Sequence, residues 1–219
     1  MNRPLYEYSA RELRALAGRR LSHEIPPSAT EFSLPSGRGD DDLDVGTKLG
    51  KLLYNEIRSA SVLVPVIARG ETAHVVLTQR PDDLPVHGGQ ISFPGGKADA
   101  RDRDLFETAL RESHEEIGLR PDQVSVLGVL DTYQTVTGFR VLPVVGLVEP
   151  DFQPQIDRRE VAEAFEVPLS FLMDPVNHQR HGREIHGLRR NYYVMPYGER
   201  YIWGATAGIV KNMYDRLYA

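Results

Sequence analysis

No cysteine occurs among the 219 residues, which excludes a disulfide framework and any thiolate metal site. Nor is there an apolar run approaching the roughly 18 to 20 residues that a membrane-spanning helix requires, so no membrane partner is expected. The opening segment, MNRPLYEYSARELRALAGRR, lacks the continuous apolar core of a secretory signal, and the expectation is a cytoplasmic location. Positive charge is also short: 26 Lys and Arg stand against 31 Asp and Glu, a formal net charge of −5. Nonspecific nucleic-acid binding needs a basic footprint to displace counterions. Nucleic acid is therefore not an expected partner, whereas phosphate-bearing small molecules remain open.

What the chain does have is apolar material for one substantial core. Its 41% hydrophobic and 26% charged residues are ordinary soluble values, and its length suits one domain with a short appendage. Residues 9–23 set Leu13, Leu16 and Leu21 among charges behind Ser9, the pattern of a short amphipathic helix with a serine cap. Residues 24–44, EIPPSATEFSLPSGRGDDDLD, combine Pro, Gly, Ser and an acidic run with little apolar content to offset the entropy of ordering, and are expected to be a flexible linker. The expected division is an N-terminal helix and linker over 1–45 and a main domain over 46–219.

Within the main domain, residues 46–58 read as a helix, and SVLVPVIA and AHVVLTQR as two strands around the hairpin signal RGET. VSVLGVLDTYQT and FRVLPVVGLV read as further strands about the turn VTG. Residues 104–117, 161–165 and 206–218 read as helices. The order implies an α+β fold, a mixed β-sheet flanked by helices in α/β/α layers.

RESHEEIGL, residues 111–119, concentrates charge on the helix over 104–117. At about 100° per residue, Leu105, Phe106, Ala109, Leu110, Ser113 and Ile117 fall within roughly 140° of arc, a core-facing stripe, and Gly118 is placed as a C-terminal stop. Glu112 and Glu116 lie about 40° apart at one edge of that stripe, and like charges at this spacing repel. Two readings follow: a solvated acidic face with Arg111 as partner, or a hard-cation site, since Mg²⁺ is commonly held by one or two carboxylates with substrate phosphates and waters. The upstream SFPGGKAD favours the second. A β-like run ends there in a glycine pair, where backbone can approach a ligand closely and the Gly96 carbonyl can add to the coordination.

GGKADARDRDLFETALRESHEEIGL resembles the Nudix box, whose pattern is G-x5-E-x7-R-E-U-x-E-E-x-G-U with U aliphatic. Arg111, Glu112, Glu115, Glu116, Gly118 and Leu119 match. Ser113 replaces the aliphatic residue, the loop from Gly96 to Arg111 is one residue longer, and the early glutamate is missing, with Arg103 near its place and Asp99, Asp102 and Asp104 around it. The resemblance, which covers roughly residues 61–218, implies the Nudix fold, metal-assisted cleavage of a diphosphate linkage, Mg²⁺ or Mn²⁺ as cofactor, and a small-molecule nucleotide substrate. It sets no oligomeric state.

Residues 77–96, LTQRPDDLPVHGGQISFPGG, further resemble the signature of coenzyme A pyrophosphatases, L-L-T-x-R-S-x3-R-x3-G-x3-F-P-G-G. Leu77, Thr78, Arg80, Gly89, Phe93, Pro94, Gly95 and Gly96 match in register, while Pro81 stands for the serine and Pro85 for the second arginine. The second change removes a bidentate phosphate ligand and keeps ADP-ribose or another nucleoside diphosphate derivative in view as substrate. A noncatalytic nucleotide-binding module is a further alternative. On this resemblance Glu112 and Glu116 hold the metal with Glu115 and Gly96, Arg111 orients them, and Arg80, Gly95, Gly96 and His87 meet substrate. The general base is Glu115 or a downstream acid, Glu160 or Glu163. The basic run RHGREIHGLRR over 180–190 reads either as a solvated hairpin or as a phosphate contact.

Overall fold

One strand, β2 (Arg58–Arg69), organises the chain. Its apolar residues alternate between two faces: Ala60, Val64 and Val66 enter one core, Leu63 and Ile67 the other. Such period-two alternation with both faces apolar is what a strand buried between two layers requires. The computed structural model describes residues 5–44, 56–83, 88–185 and 188–219; the helix expected over 46–58 falls almost wholly outside them.

β2 pairs antiparallel with β3 (Thr72–Gln79) across the turn Gly70–Glu71, where Gly70 supplies a φ of 64° and completes the expected hairpin. It pairs in parallel with β8 (Phe139–Val148), in register from Arg58↔Phe139 to Ile67↔Val148. A short strand, β5 (Gly95–Lys97), runs antiparallel to the start of β2. Around these lie β1 (Arg38–Gly39), β4 (Ile91–Ser92), β6 (Val124–Val129), β7 (Tyr133–Gln134) and β9 (Glu163–Pro168), giving a mixed sheet of nine strands among the described residues. A second sheet contains β10 (Gln179–Ile185), β11 (Leu188–Tyr197) and β12 (Arg200–Trp203).

On one face of the large sheet lies α2 (Leu105–Ile117), whose Leu105, Ala109 and Ile117 join Leu63, Ile67, Leu142 and Val144. On the other lie α1 (Ala10–Arg20) and α4 (Gly204–Leu217), with α3 (Leu169–Leu172) nearby. The α+β layering expected from the element order is present. None of the described helices is long and apolar enough to cross a membrane.

Two expectations are corrected. Residues 161–165, read as helical, form no helix: 163–165 open β9, which pairs with β3 from Gln79↔Glu163 to His74↔Pro168. The open edge of β3, distant in sequence, captures a segment whose Phe165 and Val167 alternate inward. Residues 24–44, read as a flexible linker, lie against the sheet. β1 pairs in parallel with β7, Ala29 is fully buried, and Ser22 O accepts from Val129 N at 2.8 Å. The missing apolar content is offset by Arg140, only 3% exposed, which donates to Ser28 O at 2.7 Å, Leu34 O at 3.2 Å and Gln134 Oε1 at 2.8 Å. The N-terminal helix is seated too: Ser9 Oγ caps α1 by accepting from Glu12 N, and Tyr8 stacks on Tyr218 with ring centroids 5.6 Å apart.

Arg140→Ala strands two carbonyls and should lower unfolding stability by about 2 kcal/mol in a denaturant titration. It should also speed amide exchange at Arg38 and Asp40, whose N–H groups bond Thr132 O and Gln134 O. Unchanged exchange at both amides would show that the arm is held without it.

Candidate metal and diphosphate site

α2 begins and ends as its sequence dictates. Asp104 Oδ1 accepts from Glu107 N at 2.9 Å, and Gly118 closes the helix in the left-handed region with φ 70°. Ser113, at an aliphatic position of the family pattern, is fully buried and donates its hydroxyl to Ala109 O at 2.7 Å, so the polar substitution carries no unsatisfied group.

β5 passes directly beneath this helix. A β-carbon on Gly96 would lie 2.5 Å from Glu112 Cδ, and one on Gly95, with φ 153°, would lie 2.5 Å from Ser61 O. The glycine pair is therefore demanded by close approach on both sides, and Gly96 holds the Glu112 carboxylate against its own backbone.

The three glutamates separate into a pair and an outlier. Glu116 is 4% exposed and its Oε2 has no hydrogen-bond partner. Burial pushes its pKa up to about 8, the Glu112 and Glu160 charges add to the rise, and Arg80 and the Gly95 N–H oppose it. Glu112 is raised in the same direction by burial, against the pull of Arg111, with Glu115 and Glu160 adding to the rise. Glu115 turns outward to Arg111 Nη1 at 3.0 Å, its side chain 55% exposed. A buried carboxyl with one unpaired oxygen beside a second carboxyl is a group that positive charge would ionise and stabilise, which fits a divalent cation. Among the described residues no three acidic or imidazole side chains close into a ready-made cage. Two carboxylates leaving positions to phosphate oxygens and water suit Mg²⁺ or Mn²⁺.

Arg111 is gripped from several sides. Its Nε and Nη2 reach Asp102 Oδ1 and Oδ2 at 2.8 and 3.0 Å, and its Nη1 reaches Glu112 Oε1 at 2.8 Å and Glu115. Asp102 also accepts from Asp99 N and Thr108 Oγ1, and these donors, led by the Arg111 fork, hold its carboxyl well below the usual range. Asp102 stands at the spacing from Gly96 that the family pattern gives its early glutamate, and it replaces Arg103 as the occupant of that place. Counting forward from Gly96 finds it; the extra residue lies between Asp102 and Arg111.

Arg80 acts on Glu116 through space, and its buried Nε has no partner among the described residues. Of the downstream acids, Glu160 acts on Glu112 and Glu116, whereas Glu163 on β9 is forked to Arg200 by two contacts of 2.8 Å. His87 and Pro85 lie outside the described residues. Gly95, Gly96, Lys97 and Arg80 also border a cavity of about 760 Å³, within the range of small-molecule sites. Its walls carry Phe93, Tyr192 and Trp203 for stacking and Arg38, Arg58, Arg190 and Lys211 for anions.

The NUDIX domain family matches residues 58–186. A protein of Pectobacterium atrosepticum named "Uncharacterized Nudix hydrolase NudL" is 43% identical over 158 residues, covering 71% of this chain and 81% of its own length. One of the same name from Enterobacter sp. (strain 638) is 38% identical over 161 residues, with the same coverages, 71% and 81%. Among solved structures, the crystal structure of a Nudix hydrolase from M. smegmatis, RenU, aligns with a TM-score of 0.44 at 22% identity, over 52% of this chain and 73% of that one.

Gly96→Ala should displace the flexible Glu112 carboxylate while sparing the fold. Mn²⁺ affinity by calorimetry should fall at least about tenfold with an unchanged circular dichroism spectrum, and wild-type affinity would contradict the placement of Glu112. Asp102→Asn should lower stability at neutral pH by about 2 kcal/mol, less than a fully buried pair because Arg111 keeps some water contact. Since the folded carboxyl is held below its unfolded value, that contribution is complete above the unfolded pKa of about 4 and fades as pH falls below it. Denaturant melts of both proteins should therefore converge in acid.

Proposed function

The chain belongs to the Nudix hydrolase family, and from that premise we propose that it cleaves the diphosphate linkage of coenzyme A or an acyl-coenzyme A, releasing 3′,5′-ADP and 4′-phosphopantetheine or its acyl form. Members of the family act on nucleotide derivatives with a divalent cation. The observation that carries the finer reading is the fate of residues 77–96. Of the residues that match the coenzyme A signature, Leu77 and Thr78 lie on β3 and Gly95 and Gly96 on β5, Arg80, Phe93, Gly95 and Gly96 border the cavity, and Arg80 and Gly95 act on Glu116.

When bound, Mg²⁺ or Mn²⁺ supplies the positive charge that offsets the Glu112–Glu116 pair and polarises the diphosphate. Glu116 must shed its proton to serve, and Arg80 and the Gly95 N–H already favour its charged form. Arg111, fixed by Asp102, holds Glu112 and Glu115 in orientation. Water attacks one phosphorus, the bond from that phosphorus to the bridging oxygen breaks, and a carboxylate takes the proton of the attacking water. The charge of Glu160 on both buried acids supports it for that role; Glu115, already engaged by Arg111, comes second, and the fork to Arg200 disfavours Glu163. Arg80, with its unpaired Nε, is suited to a phosphate oxygen.

Pro85 favours a second reading, hydrolysis of ADP-ribose or another nucleoside diphosphate derivative, because proline cannot supply the phosphate contact of the arginine it replaces. Side-by-side kinetics on coenzyme A, ADP-ribose, NADH and dinucleoside polyphosphates should give coenzyme A the highest kcat/KM, and inactivity on coenzyme A alone would sink the first reading. In the same assay Glu116→Gln should lose at least about a hundredfold in kcat. Its Tm should be unchanged or higher, since a buried acid with an unpaired oxygen has been replaced by a neutral amide.

A further inference from the structure

The cavity has a second concentration of charge, on the sheet formed by β10 and β11. Arg183 and Arg190 are register partners across these antiparallel strands, and both border the cavity. Like charges directly opposite on a sheet repel, so a pair of guanidinium groups at such a position calls for an anion. Arg190 is 8% exposed, and an arginine at that depth needs a partner.

The partner comes from the chain's own N-terminal arm. Residues 38–40, 42 and 43 border the cavity, and the arm presents carboxylates to donors on its wall. Asp41 Oδ1 accepts from Arg190 Nη2 at 2.9 Å. Asp44 accepts from Asn191 N at 3.1 Å and from Asn191 Nδ2 at 2.7 Å. Asp40, deeper, accepts from Tyr133 OH at 2.9 Å and Val136 N at 2.8 Å. Asp40 is held by the hydroxyl of buried Tyr133 and by the Val136 N–H, whereas the Asp41 side chain is 44% exposed and makes its described ion pair with Arg190 alone. It is the carboxylate that can leave at least cost.

A guanidinium with a cross-strand guanidinium beside it is a donor set that a phosphate monoester takes. We infer that Arg190 and Arg183 form a subsite for a second phosphate of the substrate, remote from the diphosphate, and that Asp41 is the internal counter-ion this phosphate displaces. The inference rests on the reading of the cavity as a nucleotide pocket. It makes the arm a specificity element: a nucleotide with a remote phosphate replaces the Asp41 contact, and one without it leaves Arg190 paired to Asp41.

The test is calorimetric binding of adenosine 3′,5′-bisphosphate, adenosine 2′,5′-bisphosphate and AMP to the full chain without metal, so that no turnover enters. The readout is the ratio of the better bisphosphate's affinity to that of AMP. Arg190→Gln should lower this ratio about tenfold, the value of one charge-assisted hydrogen bond. Arg183→Gln, an exposed position that spares the fold, should lower it in the same direction, and Asp41→Asn should raise it. A ratio unmoved in Arg183→Gln and Asp41→Asn overturns the inference, as does an Asp41→Asn variant that loses affinity for all three alike, which would make the contact a strut of the arm. Failure of all three nucleotides to bind the wild type overturns it together with the pocket reading. Coenzyme A hydrolysis with an unmoved ratio sinks this inference and leaves the proposed reaction standing; a moved ratio without coenzyme A hydrolysis does the reverse.

Discussion

The Glu112 carboxylate packs against Gly96 with no room for a β-carbon there, and this contact joins the acidic helix to β5. Because β5 has no side chain at Gly95 or Gly96, α2 can settle low enough to bury Ser113 and Glu116 along with its apolar stripe. The same absence leaves the other side of β5 open to the cavity. A side chain at Gly96 would push the Glu112 carboxylate aside, and one at Gly95 would run into the backbone of β2. Two small residues thus couple three things that would otherwise be independent: the depth of the core, the electrostatics of the carboxylates and the access of a ligand.

That depth is costly. Glu116 loses hydration without gaining a hydrogen bond at Oε2, and Glu112 keeps one only through Arg111. Arg111 is in turn shared among Asp102, Glu112 and Glu115, so its charge is divided rather than committed. A chain selected for stability alone would put an aliphatic residue at 116. Keeping an acid there while fixing its neighbours with a rigid fork is in keeping with the proposed role of the pair in holding a cation.

The sequence showed these features unevenly, and the reason is range. The helix over 104–117, its Asp104 cap, its Gly118 stop and the β2–β3 hairpin are local patterns, and each was legible within a few residues. The placing of Glu112 beside Glu116 followed from helical geometry, and the glycine pair pointed to close backbone. What escaped was decided by partners far along the chain. β9 is a strand because β3 offers it an edge, and the arm is seated because Arg140 reaches back to Ser28 and Leu34. Asp102 lay in plain view at the family's spacing from Gly96, and the fork of Arg111 sets it apart from Asp99 and Asp104. The basic run over 180–190 looked uniform, yet the register of β10 on β11 sets Arg183 and Arg190 opposite one another, with Arg190 buried in the cavity wall.

The parallel pairing of β2 with β8 bears on how the molecule comes into being. Arg58 and Phe139 are joined across about eighty residues of chain, and α2, β4 and β5 all lie on that connection. Contacts so far apart in sequence form late, because the loop must close before the pairing rewards it. During synthesis the glycine strand and the acidic helix emerge well before β8, when the layer that will back them is still incomplete. The acid pair is then close to water, and its ionisation costs little. Only the arrival of β8 seals the sheet beneath the helix, so the electrostatic tension of the site is imposed in one of the last steps of folding.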